Sequence, residues 1–171
     1  ADNQHGAIDY QATAGIVQGV LLGGSRPIAR VPWNEPGIIG KVLDAGVQGV
    51  VVPMVNSVAE AEAVVRACRY PPRGERSHGP VLAGMRAADY AATANDQLAT
   101  IPMIETVTAV NNIDDILAVP GIDAIYGGPA DLSLSLGLPP GNNDDRTEFT
   151  EALLTITAAC RRHGVVPGIH A

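Results

Sequence analysis

Short apolar runs recurring between helix-patterned stretches constrain this chain more than any other feature. Gly49-Val-Val-Val-Pro-Met-Val55, Ile101-Pro-Met-Ile104 and Ala124-Ile-Tyr126 stay apolar at consecutive positions instead of alternating, as a strand buried on both faces does. Helical spacing fills the gaps. It runs from Tyr10 to Leu22 and stops at Gly23-Gly24, and the stretch Pro27–Pro32 then forms a strand that Arg30 ends. Asn34 is the expected N-cap of a helix that carries Pro36 in its first turn and runs through Asp44 to Gly46. Ser57-Val-Ala-Glu60 has the form of a capping box and starts a helix to about Arg69. Further helices are expected over Arg86–Leu98, Val107–Leu117 and Asp144–His163, with strands at 122–126 and 165–169. Five or six strands in strict alternation with helices make a parallel α/β pattern.

Two folds satisfy that pattern: a doubly wound sheet and a (β/α)₈ barrel. No G-x-G-x-x-G or Walker sequence follows any strand, which removes the main support for a nucleotide-binding doubly wound sheet and favours the barrel. Six strands would leave about two of a barrel's eight missing. The opening Ala1-Asp-Asn-Gln-His5-Gly6 and the stop at Ala171, each beside a strand-like run, suggest the same. The expectation is one domain over residues 1–171, a partial barrel lacking its first and last strand–helix units, with exposed edges that favour association.

The 171 residues carry a net charge of −7, with neither basic runs nor aromatic–basic interleaving, which argues against a nucleic-acid or anionic-membrane partner. No run of 18 or more apolar residues and no basic leader is visible, so the expected place is the cytoplasm. Cys68 and Cys160 lack metal or redox spacing and are expected as buried thiols. Tyr70–Pro80 is a long irregular stretch rich in Pro, Gly and Arg. Its Arg76 and His78 are candidate rim residues toward substrate or a neighbouring subunit.

Two apolar runs end in an acid, Glu105 and Asp131. A buried carboxylate at a strand tip is costly without a cation, and two of them invite a hard divalent ion such as Mg²⁺ or Mn²⁺. Helix capping and surface ion pairing are the plain alternatives. In a barrel the functional groups come from the C-terminal strand ends, where His5, Arg30, Glu105 and Asp131 fall. With Asp44 on the same rim, a retro-aldol site takes shape: a metal for the 2-oxo acid, an arginine for the enolate, and a histidine oriented by an aspartate for the hydroxyl proton.

The segments Asp2-Asn-Gln-His5-Gly, Arg30-Val-Pro-Trp-Asn, Leu43–Pro53, Arg69–Ser77, Ile104-Glu105-Thr and Gly128-Pro-Ala-Asp131-Leu-Ser133 run from end to end of the chain. Together they resemble the HpcH/HpaI family of metal-dependent pyruvate aldolases. The resemblance implies an α/β (β/α)₈ TIM barrel of the phosphoenolpyruvate/pyruvate kind. It implies Glu105 and Asp131 as ligands of Mg²⁺, Mn²⁺ or Co²⁺, Arg30 on the pyruvate oxygen, and His5 with Asp44 as an acid–base dyad. Gly128, Pro129 and Ala130 would line the pyruvate pocket. The implied reaction reversibly cleaves a 4-hydroxy-2-oxo acid to pyruvate and an aldehyde, in a homo-oligomer such as a hexamer or trimer of dimers. Met103 stands where many members have Gln, and Gly127 where a large apolar residue is common. A citramalyl- or malyl-coenzyme A lyase and a non-catalytic scaffold are the alternatives.

Overall fold

The computed structural model describes residues 1–170. The elements follow in the order α1 (Tyr10–Leu22), β1 (Ile28–Arg30), α2 (Pro36–Asp44), β2 (Gly49–Val52), α3 (Val58–Cys68), α4 (Val81–Arg86), α5 (Tyr90–Gln97) and β3 (Ala99–Ile104). They continue with α6 (Val107–Asn111), α7 (Ile113–Leu117), β4 (Ala124–Gly127), α8 (Pro129–Ser135), α9 (Thr147–His163) and β5 (Val166–Ile169). All strand pairs are parallel, and the five strands lie side by side in chain order. A doubly wound sheet reverses its order at a switch point; this one winds in a single sense, as a barrel wall does. A sixth extended segment runs beside β1, where Asp2 bridges Arg30 and the Arg30 N–H donates to the Ala1 carbonyl at 2.9 Å.

Successive side chains of a strand face opposite ways, so the continuous apolar runs serve two layers. Outward-facing Val50, Val52, Ile104 and Ile125 pack under the helices with Ile39, Leu43, Val64, Ile116, Phe149 and Ile156. Inward-facing Val51, Ile101 and Met103 form a smaller inner cluster with Ala99, Ala124 and Tyr126. Both cysteines are buried free thiols in the outer layer, and burial pushes Cys68 up to about 11.

Local signals place most of the helices. The Ser57 hydroxyl accepts the Glu60 N–H at 3.3 Å, while the Glu60 carboxylate reaches one residue further out than a capping box requires, to the Asn56 N–H at 2.7 Å. At α2 the cap is Glu35 rather than Asn34. Both Glu35 oxygens accept N–H groups of the first turn at 2.8 Å, and Asn34 instead turns its amide to the Glu60 carbonyl. The helices expected over 86–98 and 107–117 both depart from expectation. The first starts late, as α5, behind a short α4 that the pattern did not announce; the second breaks at Asn112, whose side-chain amide donates to the Asn56 carbonyl at 2.9 Å. That tertiary bond is invisible to periodicity. Gly164 closes α9 in the left-handed conformation that favours glycine. Among the described residues, no helix is long and apolar enough to cross a membrane.

Candidate active site

Glu105 immediately follows β3, and its side chain is 1% exposed. One carboxylate oxygen, Oε1, accepts the Met54 N–H at 2.7 Å; the other, Oε2, is buried and has no hydrogen-bond partner. Met54 lies in the loop after β2 at φ 58°, the one non-glycine residue with positive φ among those described. An L-residue there costs about 1–2 kcal/mol, a strain that persists only where the surroundings impose it. Here the strained backbone aims a donor at the carboxylate.

Burial pushes the Glu105 carboxyl above its ordinary value, and the Met54 N–H opposes the rise. The charge of Asp131 raises it further, whereas Arg30 and His5 lower it. Asp131, Arg30 and His5 are therefore each near enough for their charges to act on Glu105. Asp131 occupies the first turn of α8, one step beyond the strand end where the sequence suggested it. Between them, Gly128 brings backbone against the carboxylate. A Cβ at that position would lie 2.2 Å from Glu105 Oε2 and 3.0 Å from Met103 Cε, so a side chain there would displace the carboxylate. Pro129 is buried at the start of α8, and Ala130 is exposed beside it.

Arg30 ends β1 and is held in a fork by Asp2, Nε to Oδ1 at 2.9 Å and Nη2 to Oδ2 at 2.5 Å. The guanidinium holds the Asp2 carboxyl well below the usual range, against an opposing effect of burial. Asp2 Oδ1 also accepts the backbone N–H groups of Gln4 and His5, at 3.0 and 3.3 Å. One carboxylate thus aligns the arginine and shapes the turn that carries the exposed His5. The fork uses two of the five guanidinium donors and leaves three. A cleft of about 400 Å³ opens beside this pair, lined by Asp2, Arg30, Val51, Ile101, Tyr126 and His170. The Tyr126 hydroxyl and His170 Nδ1 are 2.8 Å apart there.

Asp44 is not brought to this rim. It is the last residue of α2, which runs back from the strand tips, so it stands near the start of β2 and away from the rim that carries Arg30 and Glu105. Its carboxylate accepts from Arg76 Nη2 at 2.6 Å, and the His5–Asp44 pair is not formed within the described chain. Arg76, expected as a rim residue, is buried beside this half-buried acid. It donates to the Tyr90 hydroxyl at 3.1 Å and lies over the Tyr70 ring at 4.5 Å. His78 is exposed next to the Tyr70 ring.

Sequence reasoning assigned no role to Asp2, the Met54 N–H or Asn56. Asp2 had a usable signal, an Asp three residues ahead of His5 that can accept local N–H groups. Nothing in Pro53-Met-Val-Asn56 announces a left-handed methionine.

The residues fit a hard divalent ion. The orphaned Oε2 of Glu105 is a buried carboxylate oxygen lying close against the Gly128 backbone, and Asp131 adds a second carboxylate that acts on it. Among the described residues, no three or more His, Cys, Asp or Glu side chains are grouped to hold a metal, so any ion here would rest on this pair.

Comparison with known proteins places these residues in a wider group. The chain is 40% identical over 172 residues to the hydroxypyruvate/pyruvate aldolase of Rhizorhabdus wittichii, covering 98% of this chain and 68% of that protein. It is 38% identical to the 4-hydroxy-2-oxo-heptane-1,7-dioate aldolase of Escherichia coli, covering 98% of this chain and 65% of the relative. The chain therefore spans about two thirds of the length of these relatives. The crystal structure of an HpcH/HpaI aldolase from Desulfitobacterium hafniense superposes with a TM-score of 0.89 at 31% identity, over 98% of this chain and 66% of that one. The five parallel strands are accordingly a continuous part of a TIM-barrel wall. The sequence model of the HpcH/HpaI aldolase/citrate lyase family matches residues 14–168, and the chain belongs to that family.

Proposed function

We propose that this chain carries the site of a divalent-metal-dependent aldolase that cleaves a 4-hydroxy-2-oxo acid to pyruvate and an aldehyde. The observation behind the reading is the orphaned Glu105 oxygen, buried next to Gly128 within the field of Asp131, Arg30 and His5. Glu105 and Asp131 would hold Mg²⁺, Mn²⁺ or Co²⁺, and the bound ion would supply Lewis-acid polarisation of the substrate ketone. His5 takes the proton of the C4 hydroxyl, and the C3–C4 bond breaks as the aldehyde carbonyl forms. The electron pair passes through C3 to the C2 oxygen, where the free N–H groups of Arg30 meet the enolate. The proton then returns to C3 and completes pyruvate. Asp2 keeps Arg30 and the His5 turn in place.

A homo-oligomeric, cytoplasmic protein goes with this reading. The oligomeric part of it is supported by apolar side chains left on the surface, Trp33 at 58% and Met85 at 80% exposure among them. The deciding experiment is Mn²⁺ calorimetry on the chain, with Glu105→Gln and Asp131→Asn, followed by pyruvate release from a 4-hydroxy-2-oxo acid. The reading expects Mn²⁺ to bind the parent and not the variants, and EDTA to stop turnover. Equal Mn²⁺ affinity in all three proteins overturns the metal site. Cleavage of a malyl thioester in place of the free acid would assign the chain to the lyase alternative.

A further inference from the structure

The strain at Met54 needs a cause, and one residue supplies it. All four polar functions of Asn56 are engaged. Its side-chain amide donates to the Met54 carbonyl at 2.9 Å, and its side-chain oxygen accepts the Thr106 hydroxyl. Its backbone N–H goes to Glu60 Oε2 at 2.7 Å, and its carbonyl accepts the Asn112 amide at 2.9 Å. Two of these partners bracket Glu105: Met54 donates its N–H to the carboxylate, and Thr106 is the next residue along the chain. Thr106 is in turn fixed by its hydroxyl, which caps α6 by accepting the Ala109 N–H at 3.0 Å.

We infer that Asn56 is a positioning residue for Glu105. It clamps the loop after β2 to the loop after β3, holds Met54 in its left-handed conformation, and so fixes the orientation that leaves Oε2 without a partner against Gly128. The inference rests on the metal reading of Glu105 for its function but not for its geometry. An asparagine suits the task because it offers a donor and an acceptor on opposite sides of one planar group. The substitution Asn56→Asp would keep the acceptor for Thr106 and present an anion to the Met54 carbonyl, losing the donor. The bond to the Met54 carbonyl is the tie that both substitutions remove, and its loss frees Met54 to return toward an ordinary φ and draws its N–H away from Glu105.

The test uses the chain as it is, with Asn56→Ala and Asn56→Asp compared with Ile156→Val, a core change on α9 that touches none of the Asn56 hydrogen bonds and lowers overall stability. Hydrogen exchange at the Met54 amide is read first, without metal. Both Asn56 variants should exchange this amide about tenfold faster or more than the parent, while Ile156→Val leaves it among the amides that slow and quicken together. Mn²⁺ affinity is read second and should fall about 10- to 100-fold in the Asn56 variants alone, the usual scale for an outer partner of a metal ligand. An unchanged Met54 amide in Asn56→Ala overturns the positioning role. So does a uniform quickening of all amides matching that of Ile156→Val, which would make Asn56 merely structural. If the parent binds no Mn²⁺, the metal reading fails by itself, and the Met54 amide still decides the role of Asn56.

Discussion

Glu105 and Asp44 are acids at opposite edges of the same barrel wall, and their surroundings differ in kind. Asp44 has a cation at 2.6 Å, and that cation is itself stacked on Tyr70 and bonded to Tyr90. Glu105 is more deeply buried, receives one backbone N–H, and keeps an oxygen with no partner. A chain selected for stability alone would satisfy the more buried acid first, since an unmade bond there costs more. The reverse arrangement is what the proposed ligand role of Glu105 calls for, while Asp44 stands in an ion pair with Arg76.

The strongest way to break that contrast is to crowd the carboxylate of Glu105. Gly128→Ala should abolish measurable Mn²⁺ binding by calorimetry, because the added methyl falls where Oε2 stands. Retained affinity would mean that the carboxylate is not the ligand. Next in size is Arg30→Ala, which should cost about 2–4 kcal/mol of transition-state stabilisation in kcat/KM for pyruvate release. Mn²⁺ affinity should stay near the parent value, since the guanidinium is assigned to the enolate.

Arg76→Met tests the other edge. It leaves Asp44 without its partner and should cost about 1–3 kcal/mol in a urea melt, with no change in Mn²⁺ affinity. A loss of Mn²⁺ binding in this variant would join the two edges and dissolve the comparison. The smallest effect concerns pH. The Glu105 carboxyl is raised in the folded chain, so its contribution to stability is full below the ordinary glutamate value and is lost as pH rises through the folded value. The metal-free parent should therefore fall behind Glu105→Gln in Tm as pH is raised from about 4 to 7. Coincident curves would remove the burial argument for this carboxyl.

The order of strands and helices was legible because a barrel wall repeats one unit, and each unit writes its own apolar run and caps. Glu105 and Asp131 stood out for a related reason: strand ends are where an apolar run must stop, and a charge there is conspicuous, whereas Gly128 was singled out only by the family resemblance. The ion pair of Asp44 was not legible, because a helix-end position looks the same from either edge of the barrel and its partner Arg76 lies 32 residues away. Asn56 and the left-handed Met54 were silent because their roles depend on bonds from Asn56 to Thr106 and Asn112, which lie 50 and 56 residues further along the chain. Asn112 also split a helix that periodicity drew as one. Local rules saw each segment and none of these crossings.

Cys68 offers a practical consequence of the outer layer. A thiol reacts as its thiolate, and one pushed up to about 11 is almost wholly protonated at neutral pH as well as shielded at the end of α3. Alkylation of Cys68 then waits on the separation of α3 from β3, so its labelling rate, followed by mass, serves as a stopwatch for the opening of the wall. Because the group lies away from Glu105, that stopwatch would run at the same pace whatever is bound at the rim, unless binding tightens the whole wall.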